Sequence, residues 1–279
     1  MKLAVLGSPI AHSQSPALHR AAYGVLGLDW EYEPIEMAAD GLIDFIGSRT
    51  SDWRGLSLTM PLKRDVMPLL DAVDNFATLT GVANTVLFAS DAEHRTLHGF
   101  NTDVVGITNS FLSAGVRSVS IARILGAGAT AASALVALAQ LGARRVVVSG
   151  RSPGNILRLI EIGDILGVDV QGADPHGIED GIVPDVVVST LPGGAEHRYR
   201  FSVKMRSSAA LLDVAYDPWP SPLAADWLEA GGTVVPGIEM LVNQALVQVR
   251  IFVGGDPLQA LPAEGGVLAA MRRAVGLPN

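Results

Sequence analysis

Residues 119–152 read VSIARILGAGATAASALVALAQLGARRVVVSGRS. The first seven residues, through Leu125, are an apolar, β-branched run that predicts a buried strand. Gly126-Ala127-Gly128-Ala129-Thr130-Ala131 follows, then an Ala/Leu-rich stretch with helical character to Leu141. Gly142 stands where a helix ends, and residues 145–149 (Arg-Val-Val-Val-Ser) predict a second short strand. The order strand, glycine-rich turn, helix, strand is a βαβ unit carrying a G-x-G-x-x-A fingerprint in the context that gives it meaning. A side chain at either glycine would obstruct the approach of a pyrophosphate to the N–H groups at the start of the helix. The stretch therefore predicts a dinucleotide site.

The end of the second strand bears on which dinucleotide. A carboxylate there would hydrogen-bond the ribose hydroxyls of NAD. The chain instead has Ser149-Gly150-Arg151-Ser152 with no acid nearby. Arg151 offers a planar fork of donors for a phosphate and Ser152 a hydroxyl beside it. Taken alone, Arg151 also reads as a solvated loop arginine. After the fingerprint, the 2′-phosphate of NADP is the favoured reading.

The bulk composition sets bounds on the rest. The chain has 279 residues, 49% of them hydrophobic and 17% charged, enough for one large or two modest domains with a sizeable core. A net charge of −8 without a Lys/Arg run argues against general nucleic-acid affinity. With no cysteine there can be no disulfide, thiolate metal site or Cys nucleophile. His12, His19, His94, His98, His176 and His197 form no ligand-spaced cluster, so no metal is expected. The apolar run at the N-terminus is short and broken by Gly7 and Pro9, unlike a secretory signal, and no stretch approaches a membrane span. A cytoplasmic protein without membrane association, monomeric or homodimeric, is expected.

From the start of the chain, residues 2–7 predict a strand and 8–15 a polar loop, with Pro16 as the first residue of a helix to about Leu26. Strands are expected at 30–37 and 55–60, helices near 40–48 and around 64–70. Residues 83–89 and 95–100 predict paired strands joined by the polar turn Ser90-Asp91-Ala92-Glu93-His94. A complete open α/β domain thus precedes the dinucleotide unit. Further strands are expected at 169–171, 186–188, 211–214 and 233–235, and helices at 237–252 and 263–274. Gly and Pro break the periodicity over 153–184. The expected division is a first domain of 1–103 completed by 238–279, with the last helices packing back on it. A nucleotide domain of 104–237 makes up the remainder.

Polar residues gather where strands are expected to end, the position at which open α/β sheets bind ligands. Residues 7–16 (GSPIAHSQSP) read as a Ser/Pro turn or as a serine-lined site. Residues 57–63 (SLTMPLK) end in Lys63, solvated or catalytic. Ala83-Asn84-Thr85 and Gly99-Phe100-Asn101-Thr102-Asp103 complete the set, with Asn101 and Asp103 open to a helix-capping role.

These four blocks, in this order and followed by this nucleotide unit, resemble the shikimate dehydrogenase (shikimate/quinate dehydrogenase) family. Thr59, Pro61 and Lys63 match its T-x-P-x-K; Asn84-Thr85 and Asn101-Thr102-Asp103 match its two N-T blocks. Ser189-Thr190-Leu191-Pro192 resembles its S/N-T-x-P turn. Residues 213–218 (DVAYDP) with Ser221-Pro222-Leu223 resemble its D-x-x-Y-x-P…T-P-L run, and Gly237, Met240, Leu241 and Gln244 its G-x-x-M-L-x-x-Q helix. The resemblance spans the chain. It implies a substrate domain plus a Rossmann-type NADP-binding domain, and reversible NADP-linked reduction of 3-dehydroshikimate to shikimate in aromatic amino-acid biosynthesis. It implies Lys63 as the acid/base group and Asp103 as its partner. Ser13, Ser15, Ser57, Thr59, Asn84, Asn101, Tyr216 and Gln244, with Asp103, would hold the substrate. Gly126, Ala127, Gly128, Ala129, Thr130 and Ala131 would hold the pyrophosphate and Gly150, Arg151 and Ser152 the adenosine phosphate. Thr190, Leu191, Gly237 and Met240 would line the nicotinamide side.

Three departures stand out. Ser57 replaces the family's common Asn, which shortens or removes that contact. Ala129 replaces a glycine in the turn. The clamp reads Gly150-Arg151-Ser152 rather than N-R-T, with Asn155 where some members have a second basic residue. A quinate/shikimate or aminoshikimate dehydrogenase with broader cofactor use, and a non-catalytic NADP-binding relative, are the alternatives within reach of the same motifs.

Overall fold

A computed structural model of the chain describes residues 1–90, 95–173, 182–195, 199 and 201–278. It forms two compact units, Met1–Thr102 with Leu241–Asn279, and Asp103–Met240.

The first unit is built on strands β1 (Lys2–Gly7), β2 (Glu31–Glu36), β3 (Trp53–Leu58), β4 (Ala72–Val73), β5 (Thr85–Ser90) and β6 (Arg95–Phe100), in the order β2-β1-β3-β5-β6-β4. β1 runs parallel to β2 and β3, whereas β5 is antiparallel to both β3 and β6. β6 therefore points the same way as β1 and β3. The carboxyl ends of β1, β3 and β6 and the start of β5 share one edge of the sheet. Leu6, Leu56, Leu58, Val86 and Phe88 pack on one face of the sheet with Leu42 and Ile46 of α2 (Leu42–Gly47). Helix α1 (Ser15–Leu26) packs against α10 (Glu264–Ala274), as expected of last helices that fold back on the first domain.

The helix expected at 64–70 is replaced by turns and a single 3₁₀ turn at Met67–Leu69. Pro68 has no N–H to continue an α-helical ladder, and the Arg64 carbonyl takes the N–H of Met67 instead. A helix not anticipated follows, α3 (Asn75–Thr80). Its signal was local: the Asp74 carboxylate accepts the Ala77 N–H as N-cap, and Gly81 closes the far end in the left-handed region. The turn residues Asp91, Ala92, Glu93 and His94 lie outside the described residues, as do His176 and His197.

In the second unit, β7 (Ile121–Leu125), β8 (Arg145–Ser149), β9 (Asp169–Ala173), β10 (Val186–Ser189), β11 (Ala210–Asp213) and β12 (Val234–Pro236) form one wholly parallel sheet. Its order is β12-β11-β10-β7-β8-β9. Helices α4 (Asp103–Ser113) and α5 (Ala129–Gln140) pack together. Leu125, Val187 and Leu211 meet Trp227 of α8 (Pro222–Glu229) and Met205 of α7 (Val203–Ser208) on one sheet face. Over 153–166, despite the Gly and Pro that break the periodicity, lies the 14-residue helix α6 (Pro153–Leu166). Pro153 sits in the first turn, where no N–H is missed, and Ser152 caps it through Asn155 N–H. Gly163 lets the helix lie close on β9: a Cβ there would sit 2.3 Å from Val170 Cγ2.

Helix α9 (Gly237–Gly254) is tied to α10 by a bidentate ion pair, Arg250 Nη2 to Glu264 Oε1 at 2.6 Å and Arg250 Nε to Oε2 at 2.7 Å. Glu264 Oε2 also accepts the Leu261 N–H. Arg250, first among these partners, holds the Glu264 carboxyl below its ordinary value of 4.5. A depressed folded-state pKa means stability that is present above the ordinary value and lost as pH falls through the folded one. Glu264→Gln should lower stability by about 1 kcal/mol at neutral pH, the pair being partly solvent-screened. The difference from the parent should shrink below pH 4.5 in urea unfolding, and a pH-independent difference would contradict the ion-pair account.

Candidate active site

The four polar blocks of the sequence come together at the shared edge of the first unit's sheet. Thr59 N–H reaches Leu6 O of β1 and Ser8 N–H reaches Met60 O; Leu58 N–H bonds Asn84 O, and Asn84 N–H bonds Phe100 O. The serine loop is pinned by Glu36, whose carboxylate takes the Ser8 hydroxyl at 2.6 Å and the Ile10 N–H at 3.1 Å. Ser13 Oγ accepts the Ser15 N–H, and Ser15 is buried at the start of α1. Lys63 is half-buried, with its carbonyl held by Ala83 N–H.

Asn84, Thr102 and Gln244 form a buried array. Asn84 Nδ2 donates to Thr102 Oγ1 at 2.9 Å and to Gln244 Oε1 at 3.1 Å, and Asn84 Oδ1 accepts the Thr102 N–H. Gln244 Nε2 donates to Leu241 O, which leaves its oxygen toward Asn84. Asn101 is tied to α3: its Nδ2 donates to Thr80 Oγ1 and its N–H to Asp74 Oδ1.

Behind these residues lies a second layer that sequence reading did not single out. His19 on α1 bonds Tyr23 Oη through Nδ1 and Gln248 Oε1 through Nε2, and stacks on Tyr32 at 4.0 Å between ring centroids. Burial pushes His19 down to about 3, so the ring is neutral. Tyr32 is fully buried; burial raises its pKa, and the Ser57 and Ser15 hydroxyls close to Oη oppose that rise. The available signal was spacing: His19 follows Ser15, and Gln248 follows Gln244, by four residues on a helix.

In the second unit Gly126, Ala127 and Gly128 follow β7, and Thr190 and Leu191 follow β10, so both turns lie at the carboxyl ends of adjacent strands. Thr190 Oγ1 and N–H both bond Leu125 O at 2.8 Å. Gly126 has φ +100°. Gly128 is the N-cap of α5, with no side-chain cap and no acid in the first turn. Gly150 is buried and Arg151 exposed after β8, and Ser152 caps α6. Tyr199 Oη donates to Ser149 O. Asp103, buried, opens α4; Tyr216 is half-buried after β11; Gly237 and Met240, both buried, open α9. Among the described residues no group of three or more His, Asp or Glu is placed to hold a metal, and no helix is long and apolar enough to cross a membrane.

Counted from β7, the second sheet has the strand order 3-2-1-4-5-6, with the glycine turn at the switch point between β7 and β10. The class so defined is a two-domain α/β protein with one Rossmann-type domain. Residues 5–86 match the family model described as shikimate dehydrogenase substrate binding domain. A curated relative from Geobacter metallireducens, "Shikimate dehydrogenase (NADP(+))", is 33% identical over 286 residues, covering 97% of each chain. The crystal structure of Mycobacterium tuberculosis shikimate dehydrogenase is 35% identical with a TM-score of 0.81, over 98% of this chain and 99% of that one. A Thermus thermophilus shikimate 5-dehydrogenase solved in complex with NADP(H) and shikimate is 29% identical with a TM-score of 0.78, over 98% and 99%. The chain belongs to the shikimate dehydrogenase family.

Proposed function

We propose that this protein is an NADP-dependent shikimate dehydrogenase, interconverting 3-dehydroshikimate and shikimate. The observation that carries the reading is the 33% identity, over 97% of both chains, to a relative named for that activity with NADP(+). In this reading residues 1–103 with 238–279 bind substrate and residues 104–237 bind the dinucleotide.

The turn after β7 fits a dinucleotide. A Cβ at Gly128 would meet nothing within 4 Å, so the space before the α5 N-terminus is open to a ligand. The uncapped N–H groups of that 12-residue helix favour an anion. Gly126 to Ala131 would hold the pyrophosphate, Gly150, Arg151 and Ser152 the 2′-phosphate, and Thr190, Leu191, Gly237 and Met240 the nicotinamide end. NADP(H), when bound, supplies or takes the hydride. Lys63 is the acid/base group, giving the proton that the ketone oxygen takes up as negative charge develops, and Asp103 is assigned as its partner. Ser13, Ser15, Ser57, Thr59, Asn84, Asn101, Tyr216 and Gln244 orient the hydroxyls and carboxylate of the substrate. The protein acts in aromatic amino-acid (chorismate) biosynthesis in the cytoplasm, as a monomer or homodimer, without nucleic acid or membrane.

The deciding assay follows the rise of reduced-nicotinamide absorbance with shikimate and NADP⁺, crossed with quinate and NAD⁺. Turnover confined to shikimate with NADP⁺ is expected. Comparable rates with quinate or NAD⁺ would place the protein in a broader-specificity branch, and no turnover with any pair would overturn the reading. Arg151→Ala should raise the KM for NADP⁺ by about tenfold, the loss of a charge-assisted contact at an exposed position. The KM for NAD⁺, which has no 2′-phosphate, should stay the same. Equal effects on both cofactors would remove Arg151 from the phosphate site.

A further inference from the structure

We propose that Gln248 is a positioning residue of the substrate subsite, acting through Ser57. It rests on the reading above, in which Ser57 contributes to that subsite. Gln248 is buried on α9, one turn beyond Gln244, and all four hydrogen-bonding positions of its amide are occupied. Nε2 donates to Asn84 O at 3.2 Å and to Thr85 Oγ1 at 2.9 Å. A backbone carbonyl only accepts, so this end of the amide is the NH₂. Oε1 therefore faces Ser57 Oγ at 3.0 Å and His19 Nε2 at 3.2 Å.

An amide oxygen only accepts, so both partners must donate. His19 carries its proton on Nε2, and its bare Nδ1 takes the Tyr23 hydroxyl proton at 3.1 Å. Ser57 spends its single proton on Gln248 and presents lone pairs to anything else. In the position where the family commonly has Asn, with both a donor and an acceptor, this chain has a hydroxyl whose direction is set from behind. Ser57 so oriented accepts from a substrate hydroxyl and cannot donate to the substrate carboxylate.

The test uses the full-length protein with shikimate and NADP⁺. Gln248→Met keeps the length of the side chain and removes the amide, freeing the Ser57 proton. The KM for shikimate is expected to rise about tenfold, the loss of one oriented hydrogen bond, with kcat changed less than threefold and the KM for NADP⁺ unchanged. Ser57→Ala should raise the shikimate KM by a similar factor. In the double variant Gln248→Met should then add less than twofold, because the proposed route to the substrate, through the Ser57 hydroxyl, is already gone and the bond to the Asn84 carbonyl is not the one that counts. Multiplying effects in the double variant, or a shikimate KM within twofold of the parent in folded Gln248→Met, would overturn the proposal. If Gln248→Met does not fold, Ser57→Ala decides alone: an unchanged shikimate KM overturns it. An inactive parent would instead refute the functional reading itself.

Discussion

Turnover of shikimate by the Lys63→Met variant is expected to fall by about 10²–10⁴-fold, the range a positioned proton donor or acceptor contributes. Methionine is close to lysine in length and fills the same half-buried space, so packing changes little. In the proposed role, what disappears is the proton and the positive charge beside the oxygen on which charge develops. The main-chain anchor, Ala83 N–H to Lys63 O at 2.9 Å, does not depend on the side chain, and the unfolding midpoint should stay close to that of the parent. The KM for NADP⁺ should be unaffected. Retention of more than a tenth of kcat would show that the proton moves by another group. Loss of turnover with intact NADP⁺ binding also separates an enzyme from a non-catalytic NADP-binding relative, which has no turnover to lose.

Gly126→Ala should be strongly damaging to the second unit, by strain and by overpacking together. At φ +100° an L side chain is strained, and the added Cβ would lie 2.4 Å from Thr190 Oγ1. Thr190 cannot simply swing away, since its hydroxyl and N–H both bond Leu125 O at 2.8 Å. Gly126 N–H is itself bonded to Ser149 O at 2.8 Å, so the turn is held from both adjacent strands. Backbone strain and overpacking together should lower stability by about 2–4 kcal/mol. Displacement of the turn should weaken NADP⁺ binding by at least about tenfold, each 1.4 kcal/mol being a factor of ten. Denaturant unfolding and fluorescence titration with NADP⁺ measure the two effects. Thr190→Ala in the same chain should recover part of the stability by removing the clash, while the φ strain remains. No recovery would locate the damage elsewhere.

Local pattern carried the strands of the second unit, while its helices α6, α7 and α8 were not placed by it. β-branched runs gave away β7, β8, β10 and β11 because strands of a parallel sheet are covered on both faces and need no polar alternation. Helix α6 escaped for the opposite reason: Pro153, Gly154 and Gly163 look like breakers, yet the first two sit in the first turn and the third is a packing contact with β9. In the first unit, 64–70 has apolar spacing suited to a helix, and Pro68 overrules it. Asp74 and Gly81 mark α3 as clearly as any cap and stop, but six residues are too few for periodicity to register.

The candidate site divides in the same way. The sequence by itself determined the chemistry on offer: a lysine, a carboxylate, neutral hydroxyl and amide donors, a glycine turn and an arginine in place of an acid, all recognisable because each is a short contiguous motif. Only the tertiary structure decided that the β5–β6 hairpin sits beside β3 with β5 running against it, which brings Asn84 to the edge where Ser8, Thr59 and Asn101 already stand. It alone decided the hydrogen-bond directions of Asn84, Gln244, Gln248 and His19, because each amide is oriented by a backbone group distant in the chain or by a helix carbonyl. Residue types state what a side chain can donate or accept, and the fold determines which of those capacities the protein has already used.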